Sequence, residues 1–196
     1  MTLEKVDHTN AMMATNFWGT YNMMKAFYPL VNQNGRIVNL SSMQAQRAMA
    51  IFPLTAESKG PEFFCVQYQN LVLGPELHSI NRTLSLERLE ELATEYEKAS
   101  NENKLIENGW LDDWITNYAT TKLFINALTR IYGNEAQKDK KGVLVNCCCP
   151  GYVQTDLSNN AKDATKVPLE GCKTTIWLAM LEDGSDGPQG CYLADA

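Results

Sequence analysis

Two short β-rich runs constrain this chain more than anything else in it. They are Arg36-Ile37-Val38-Asn39-Leu40 and Val143-Leu144-Val145-Asn146-Cys147-Cys148. Each is too short for a helix and too apolar for a surface strand, so each reads as buried strand. Each also follows a long stretch with helical spacing. From about Glu4 to Leu30 the apolar positions include Val6, Met13, Phe17, Met24 and Phe27, and Pro29 with Asn34-Gly35 marks the stop. From Trp110 to Gly133 they are Trp114, Tyr118, Leu123, Phe124, Ala127, Leu128 and Ile131, with Gly133 suited to the C-terminus. Leu169 to Leu181 reads as a third helix after Pro168, and Gly190-Cys191-Tyr192-Leu193 as a short last strand. Helix, strand, helix, strand, helix, strand is the alternation of an α/β fold with a parallel sheet.

An insertion of about 45–113 interrupts this order. Residues 45 to 80 read as irregular, broken by Pro53, Gly60, Pro61, Gly74 and Pro75. Ser85 then looks like an N-cap. Leu86, Leu89, Leu92, Ala93 and Tyr96 follow at helical spacing, with Glu87, Glu90 and Glu91 near the positive end of the dipole and Asn101 and Asn103 at its finish. The stretch is too polar for a core of its own. A single domain over 1–196 with a partly helical insertion is the expected organisation.

A net charge of −6 argues against nucleic acid as the main partner. No apolar run is long enough to cross a bilayer. Met1-Thr2-Leu3-Glu4-Lys5 lacks the basic and apolar regions of a secretory signal. Three of the six Cys (65, 147, 148, 149, 172, 191) are consecutive within a strand-like run, which is neither a disulfide framework nor a zinc spacing. Reduced, mostly buried thiols in a cytoplasmic protein are expected. His8 and His78 have no Cys or acidic cluster nearby, so no metal site is expected. Asn81-Arg82-Thr83 matches a glycosylation sequon and reads as accidental.

Candidate chemistry lies in Asn117-Tyr118-Ala119-Thr120-Thr121-Lys122. One helical turn separates Tyr118 from Lys122, so both project from one face. A phenol titrates near 10, and a fixed cation beside it favours phenolate. Tyr21 and Lys25 have the same spacing, so spacing alone does not choose between the pairs. Asn16 sits mid-helix, where it is either a surface amide or an inward one that hydrogen-bonds at a site. Ser41-Ser42 closes the first strand, at the end where open α/β sheets bind ligands. The same two hydroxyls also suit simple capping of local backbone.

Four features in one order carry a resemblance: Asn16 in Thr15-Asn16-Phe17-Trp18-Gly19-Thr20, Ser42 after Gly35-Arg36-Ile37-Val38-Asn39-Leu40-Ser41, Tyr118 with Lys122, and Pro150-Gly151-Tyr152-Val153-Gln154-Thr155-Asp156. Together they resemble the second half of a short-chain dehydrogenase/reductase. The insertion before the Tyr, Gly109-Trp110 and the Cys-Cys-Pro-Gly run resemble its carbonyl reductases. The resemblance favours Tyr118 over Tyr21. It implies a Rossmann-type doubly wound sheet and hydride transfer from NADPH to a ketone, aldehyde or quinone. It also implies roles. Tyr118 is the general acid, Ser42 hydrogen-bonds the carbonyl oxygen, Lys122 binds the nicotinamide ribose and lowers the Tyr pKa, and Asn16 holds a water linked to Lys122. The Val153 backbone and the Thr155 hydroxyl hold the carboxamide and a nearby phosphate, and Pro150 and Gly151 allow the close approach of the loop. A monomer and a small-molecule carbonyl substrate are expected. Cys149 matches a family Cys near the substrate mouth, where a reactive thiol and a buried inert one are both open readings.

The family's opening Thr-Gly-x-x-x-Gly-x-Gly run, whose amides cradle pyrophosphate, does not occur in these 196 residues, nor does its Asn-Ala-Gly motif. The chain starts where the family's fifth helix is expected. Of the strand order 3-2-1-4-5-6-7 the last three strands are therefore expected, with Arg36–Leu40 as an edge. Poor NADPH binding by these residues alone is the corresponding expectation. The alternative function is that of a non-catalytic relative, an interaction protein acting through that edge.

Overall fold

The computed structural model describes residues 3–45, 84–108, 110, 112 and 114–194. Residues 46–83, which include Cys65, His78 and the sequon, and Gly109 lie outside the described residues. Within them the chain forms two compact units, Met1–Asn22 with Gln44–Leu128, and Met23–Met43 with Thr129–Ala196.

In the first unit, α1 (Leu3–Met12) runs into a π-helical segment, Met13–Trp18. Helix α2 (Gly19–Phe27) follows and crosses into the second unit. The helix expected over Glu4–Leu30 is therefore continuous but widened by one residue per turn around Asn16. The Gly19 N–H reaches back five residues to the Ala14 carbonyl. Met13 and Phe17, both fully buried, anchor the widened turn. Helix α3 (Leu86–Asn101) begins where Ser85 was read as N-cap, and its hydroxyl accepts the Arg88 N–H at 3.1 Å. Asn103 takes a left-handed conformation just past its end (φ 56°). Tyr96, Trp110, Phe124 and Phe17 form an aromatic core with ring centroids 5.0–6.2 Å apart. Polar pairs add to it: Tyr21 donates to Glu90 at 2.7 Å, and Asn10 to Asn101 at 2.9 Å.

The second unit is an α/β layer. Strands β1 (Arg36–Leu40), β2 (Leu144–Cys149) and β3 (Tyr192–Ala194) form a parallel sheet in the order β1-β2-β3, as expected of the last three strands. Arg36 pairs with Leu144 and Leu40 with Cys148. Asn39 donates to Thr129 on helix α4 (Trp114–Asp139) at 2.9 Å. Cys148, on the other face, meets Thr175 on helix α6 (Lys173–Ala179) at 3.3 Å. The sheet thus has a helix on each face, the hallmark of a parallel sheet. Ahead of β3, the Gln189 side chain imitates a strand. Its Oε1 accepts from Val145 N at 2.7 Å and its Nε2 donates to Val143 O at 2.8 Å.

Four element expectations need correction. Helix α4 starts at Trp114 rather than Trp110 and continues past Gly133 to Asp139. Gly133 is not a cap. A Cβ there would lie 2.5 Å from the Gly190 Cα, so the glycine permits backbone-to-backbone approach. The helix read over Leu169–Leu181 is two pieces, α5 (Pro168–Gly171) and α6, broken at Cys172. The break brings Gly171 against Val153, whose Cγ2 would sit 2.6 Å from an added Cβ. Residues 152–168, which read from the sequence as a polar loop, contain a 3₁₀ turn, Asp156–Ser158. Finally, β1 is half-buried rather than buried, and Leu40 is 53% exposed, because among the described residues only β2 flanks it.

Candidate active site

The first unit holds Asn16, Tyr118 and Lys122. Tyr118 and Lys122 are half-buried on one face of α4, and the Lys122 ammonium lies 5.7 Å from the Tyr118 ring centroid. This is the stacked one-turn geometry that the spacing predicts. The competing Tyr21 is buried with its hydroxyl committed to Glu90. Asn16 is the inward amide rather than the surface one. Its Nδ2 donates to Thr121 Oγ1 at 3.0 Å, and its carbonyl accepts from Thr20 Oγ1 at 2.8 Å. Next to it, the Trp18 indole donates to Glu97, whose carboxyl is pushed up by burial and held back by that bond.

The second unit holds Ser42 and the Pro150–Thr155 loop, both at the carboxyl end of the sheet. The Ser41 N–H extends the β1 ladder to the Cys148 carbonyl at 2.8 Å, so Ser42 leaves β1 beside the point where Pro150 leaves β2. Ser41 and Ser42 are both buried. Gly151 takes φ 85°, and a Cβ there would meet the Lys166 side chain at 3.1 Å. Val153 bridges to Lys166: Lys166 N donates to Tyr152 O and Gln154 N to Lys166 O. In a parallel bridge of this kind Val153's own N–H and C=O face away from Lys166. Thr155 opens the 3₁₀ turn, and its N–H donates to Ser158 Oγ at 3.0 Å. The positive-φ glycine and the outward-facing Val153 peptide lie at the carboxyl end of a parallel strand, where open α/β sheets bind ligands. Cys149 is 3% exposed and its sulfur accepts the Gly151 N–H at 3.3 Å, a buried setting. Burial pushes the Cys148 thiol up.

The sequence reading left Thr121 unassigned, although it stands in the Tyr118 motif. The signal was a threonine placed to bond back one turn while facing a second helix.

Comparison with known proteins fits this geometry. Residues 112–166 match the short chain dehydrogenase family, and residues 2–82 match the family described as Enoyl-(Acyl carrier protein) reductase. The chain is 33% identical over 186 residues to carbonyl reductase [NADPH] 1 of Rattus norvegicus, and 31% identical over 185 residues to that of Homo sapiens. Each alignment covers 93% of this chain and 58% of the relative. The chain therefore spans little more than half the length of the curated relatives it matches. Salutaridine reductase from Papaver somniferum superposes with a TM-score of 0.70 at 25% identity, over 95% of this chain and 55% of that one. Menthone neomenthol reductase from Mentha piperita has the same fold, with a TM-score of 0.63 at 24% identity, over 96% and 51% of the two chains. The chain is thus similar to short-chain dehydrogenases/reductases, and among them to carbonyl reductases, over the part of their length that it spans.

Proposed function

We propose that these residues serve a carbonyl reductase that uses NADPH to reduce a ketone, aldehyde or quinone, with Tyr118 as general acid. The observation that carries the reading is the Tyr118–Lys122 pair on one face of α4, with the Asn16 amide bonded into the same turn. Bound at the Pro150–Thr155 loop, the reduced nicotinamide would supply the hydride. Tyr118 Oη gives its proton to the carbonyl oxygen. The Lys122 ammonium favours the phenolate left behind and holds the ribose. Ser42 donates a hydrogen bond to the same carbonyl oxygen as negative charge develops on it. Pro150 and Gly151 permit close approach of the loop, and the Val153 backbone and Thr155 hydroxyl hold the amide and phosphate. Asn16 keeps a proton route to Lys122 open. A cytoplasmic monomer acting on a small molecule goes with this reading.

The experiment is turnover of a quinone and an aldehyde, followed by loss of NADPH absorbance, in the protein as its gene encodes it. Tyr118→Phe is expected to cut turnover roughly a hundredfold to ten-thousandfold, the range for removing a positioned acid, while NADPH still binds. Unchanged turnover refutes the assignment. The 196-residue chain alone is expected to bind NADPH weakly, and micromolar binding by fluorescence titration overturns that expectation.

A second reading draws on the second unit's exposed apolar side chains, with Leu30 73%, Met180 75% and Trp177 47% exposed. In it the chain is an interaction protein that buries these surfaces against another chain. Sedimentation as a monomer across concentrations, with full reductase turnover, rejects this reading.

A further inference from the structure

Thr121 lies between Tyr118 and Lys122 and is fully buried. Its hydroxyl donates to the Tyr118 carbonyl at 2.8 Å. A carbonyl is only an acceptor, so the single hydroxyl proton is spent there, and Thr121 Oγ1 accepts the bond from Asn16 Nδ2 at 3.0 Å. That fixes which way the Asn16 amide points, with its nitrogen toward Thr121. In α-helical geometry the Lys122 N–H is directed at the same Tyr118 carbonyl. One oxygen therefore gathers both the helix ladder at Lys122 and the link from Asn16. At the far end, Asn16 sits in the widened turn Met13–Trp18 and is held through its own carbonyl by Thr20.

A second buried link grips the residue before Tyr118. Tyr96 Oη donates to Asn117 Oδ1 at 3.0 Å, and Asn117 Nδ2 donates to Thr9 Oγ1 at 3.1 Å. The turn carrying Tyr118 is thus tied by side chains to α1, to the π segment and to α3. Buried polar links of this kind specify one arrangement, because each group left unmatched is costly. π segments recur where helices carry function.

We propose that Thr121 is a positioning residue: its hydroxyl couples the π turn at Asn16 to the helical turn that carries Tyr118. Its consequence for catalysis rests on the reading of Tyr118 as the acid. Through this hydroxyl, any shift of Asn16 is passed to the backbone from which the phenol is aimed.

The test uses the whole chain labelled with carbon-13 at the tyrosine ring carbon bearing the hydroxyl, with the Tyr118 resonance assigned by its loss in Tyr118→Phe. Thr121→Val keeps the shape and deletes the hydroxyl. It is expected to move the Tyr118 titration curve away from wild type and to speed amide exchange over Met13–Trp18 roughly tenfold, the size of a lost hydrogen bond. Thr121→Ser is expected to restore both. A purely structural role would change exchange and leave the titration alone, so a Thr121→Val curve that superimposes on wild type overturns the proposal. If Thr121→Val does not fold, Asn16→Ala cuts the same link from its half-buried end, and an unmoved Tyr118 curve there overturns it equally. A wild-type protein that reduces no carbonyl sinks the reductase reading without touching this titration.

Discussion

Arg36 opens β1, and its side chain is only 9% exposed. Its guanidinium spreads over backbone carbonyls. Nε and Nη2 donate to Leu181 O at 3.2 and 3.0 Å, Nη2 to Glu182 O at 2.7 Å, and Nη1 to Asn34 O and Gly35 O. Gly35 O also accepts from Leu144 N, and the Glu182 bond lies at the surface where water can replace it. The Asp183 ion pair, at 3.6 Å with that side chain 75% exposed, adds little. The loss in Arg36→Met therefore falls on the carbonyls of Asn34 and Leu181. At about 1.5 kcal/mol for each part-buried acceptor left without a donor, Arg36→Met is expected to destabilise the second unit by about 3 kcal/mol. That corresponds to a roughly hundredfold rise in opening. Native-state amide exchange in β2 measures it for this unit specifically. Arg36→Lys is expected to recover about half, since an ammonium lacks the planar fork, and Asp183→Asn almost nothing. Acceleration of β2 exchange below about fivefold in Arg36→Met refutes the argument that these two carbonyls depend on the guanidinium. Because Ser42 leaves the far end of the same strand, the result also measures how firmly the second unit holds that residue.

Three further outcomes are expected. Gly133→Ala should destabilise by about 1–3 kcal/mol in urea unfolding, despite alanine's higher helix propensity, because its Cβ would stand 2.5 Å from the Gly190 Cα. Tyr28 donates to Asp139 at 2.7 Å; this bond and the Lys141 N–H hold the Asp139 carboxyl below its usual range, and burial with the Asp139 bond pushes the Tyr28 phenol well up. The Asp139 contribution is present above the unfolded carboxyl value near 4 and lost as pH falls through its lowered folded value. The Tyr28 contribution is present below the unfolded phenol value near 10 and lost as pH rises through its raised one. Tyr28→Phe should therefore cost stability at neutral pH and flatten both limbs of a stability profile, and parallel profiles would contradict the pairing. Glu97, raised by burial, favours its protonated form in the folded state, a contribution present below the unfolded value near 4.3 and lost as pH rises through the folded one. Glu97→Gln keeps an acceptor for Trp18, so it should stabilise at pH 7 and change nothing at low pH; equal effects at both would contradict the burial argument.

What the chain reveals before folding depends on whether the determinant is local. Strand β1 was placed to the residue and β2 within one, because short β-rich runs between helices carry their own signal. Ser85 declared a helix start through a bond three residues away. Gly133 misled because its reason lies at Gly190, far along the chain, and locally a close-approach glycine looks like a cap. The break at Cys172 has the same character, set by Gly171 against Val153. The widened turn at Met13–Trp18 keeps the Met13–Phe17 spacing of an ordinary helix, so periodicity hides it. The site divides similarly. The Tyr118–Lys122 spacing is visible in the sequence but shared by Tyr21–Lys25, and the partner that settles Asn16, Thr121, lies on another helix.

The three consecutive cysteines make the second unit its own recorder of opening. Cys147, Cys148 and Cys149 are buried in β2, whereas Cys172 is exposed at the break between α5 and α6. A thiol reagent applied to the native chain should modify Cys172 at once and reach the β2 thiols only when the sheet parts. Digesting timed samples and weighing the peptides then gives two clocks from one molecule, one for access and one for unfolding of the strand that leads into Pro150. Both are read from the chain's own thiols, with no substitution.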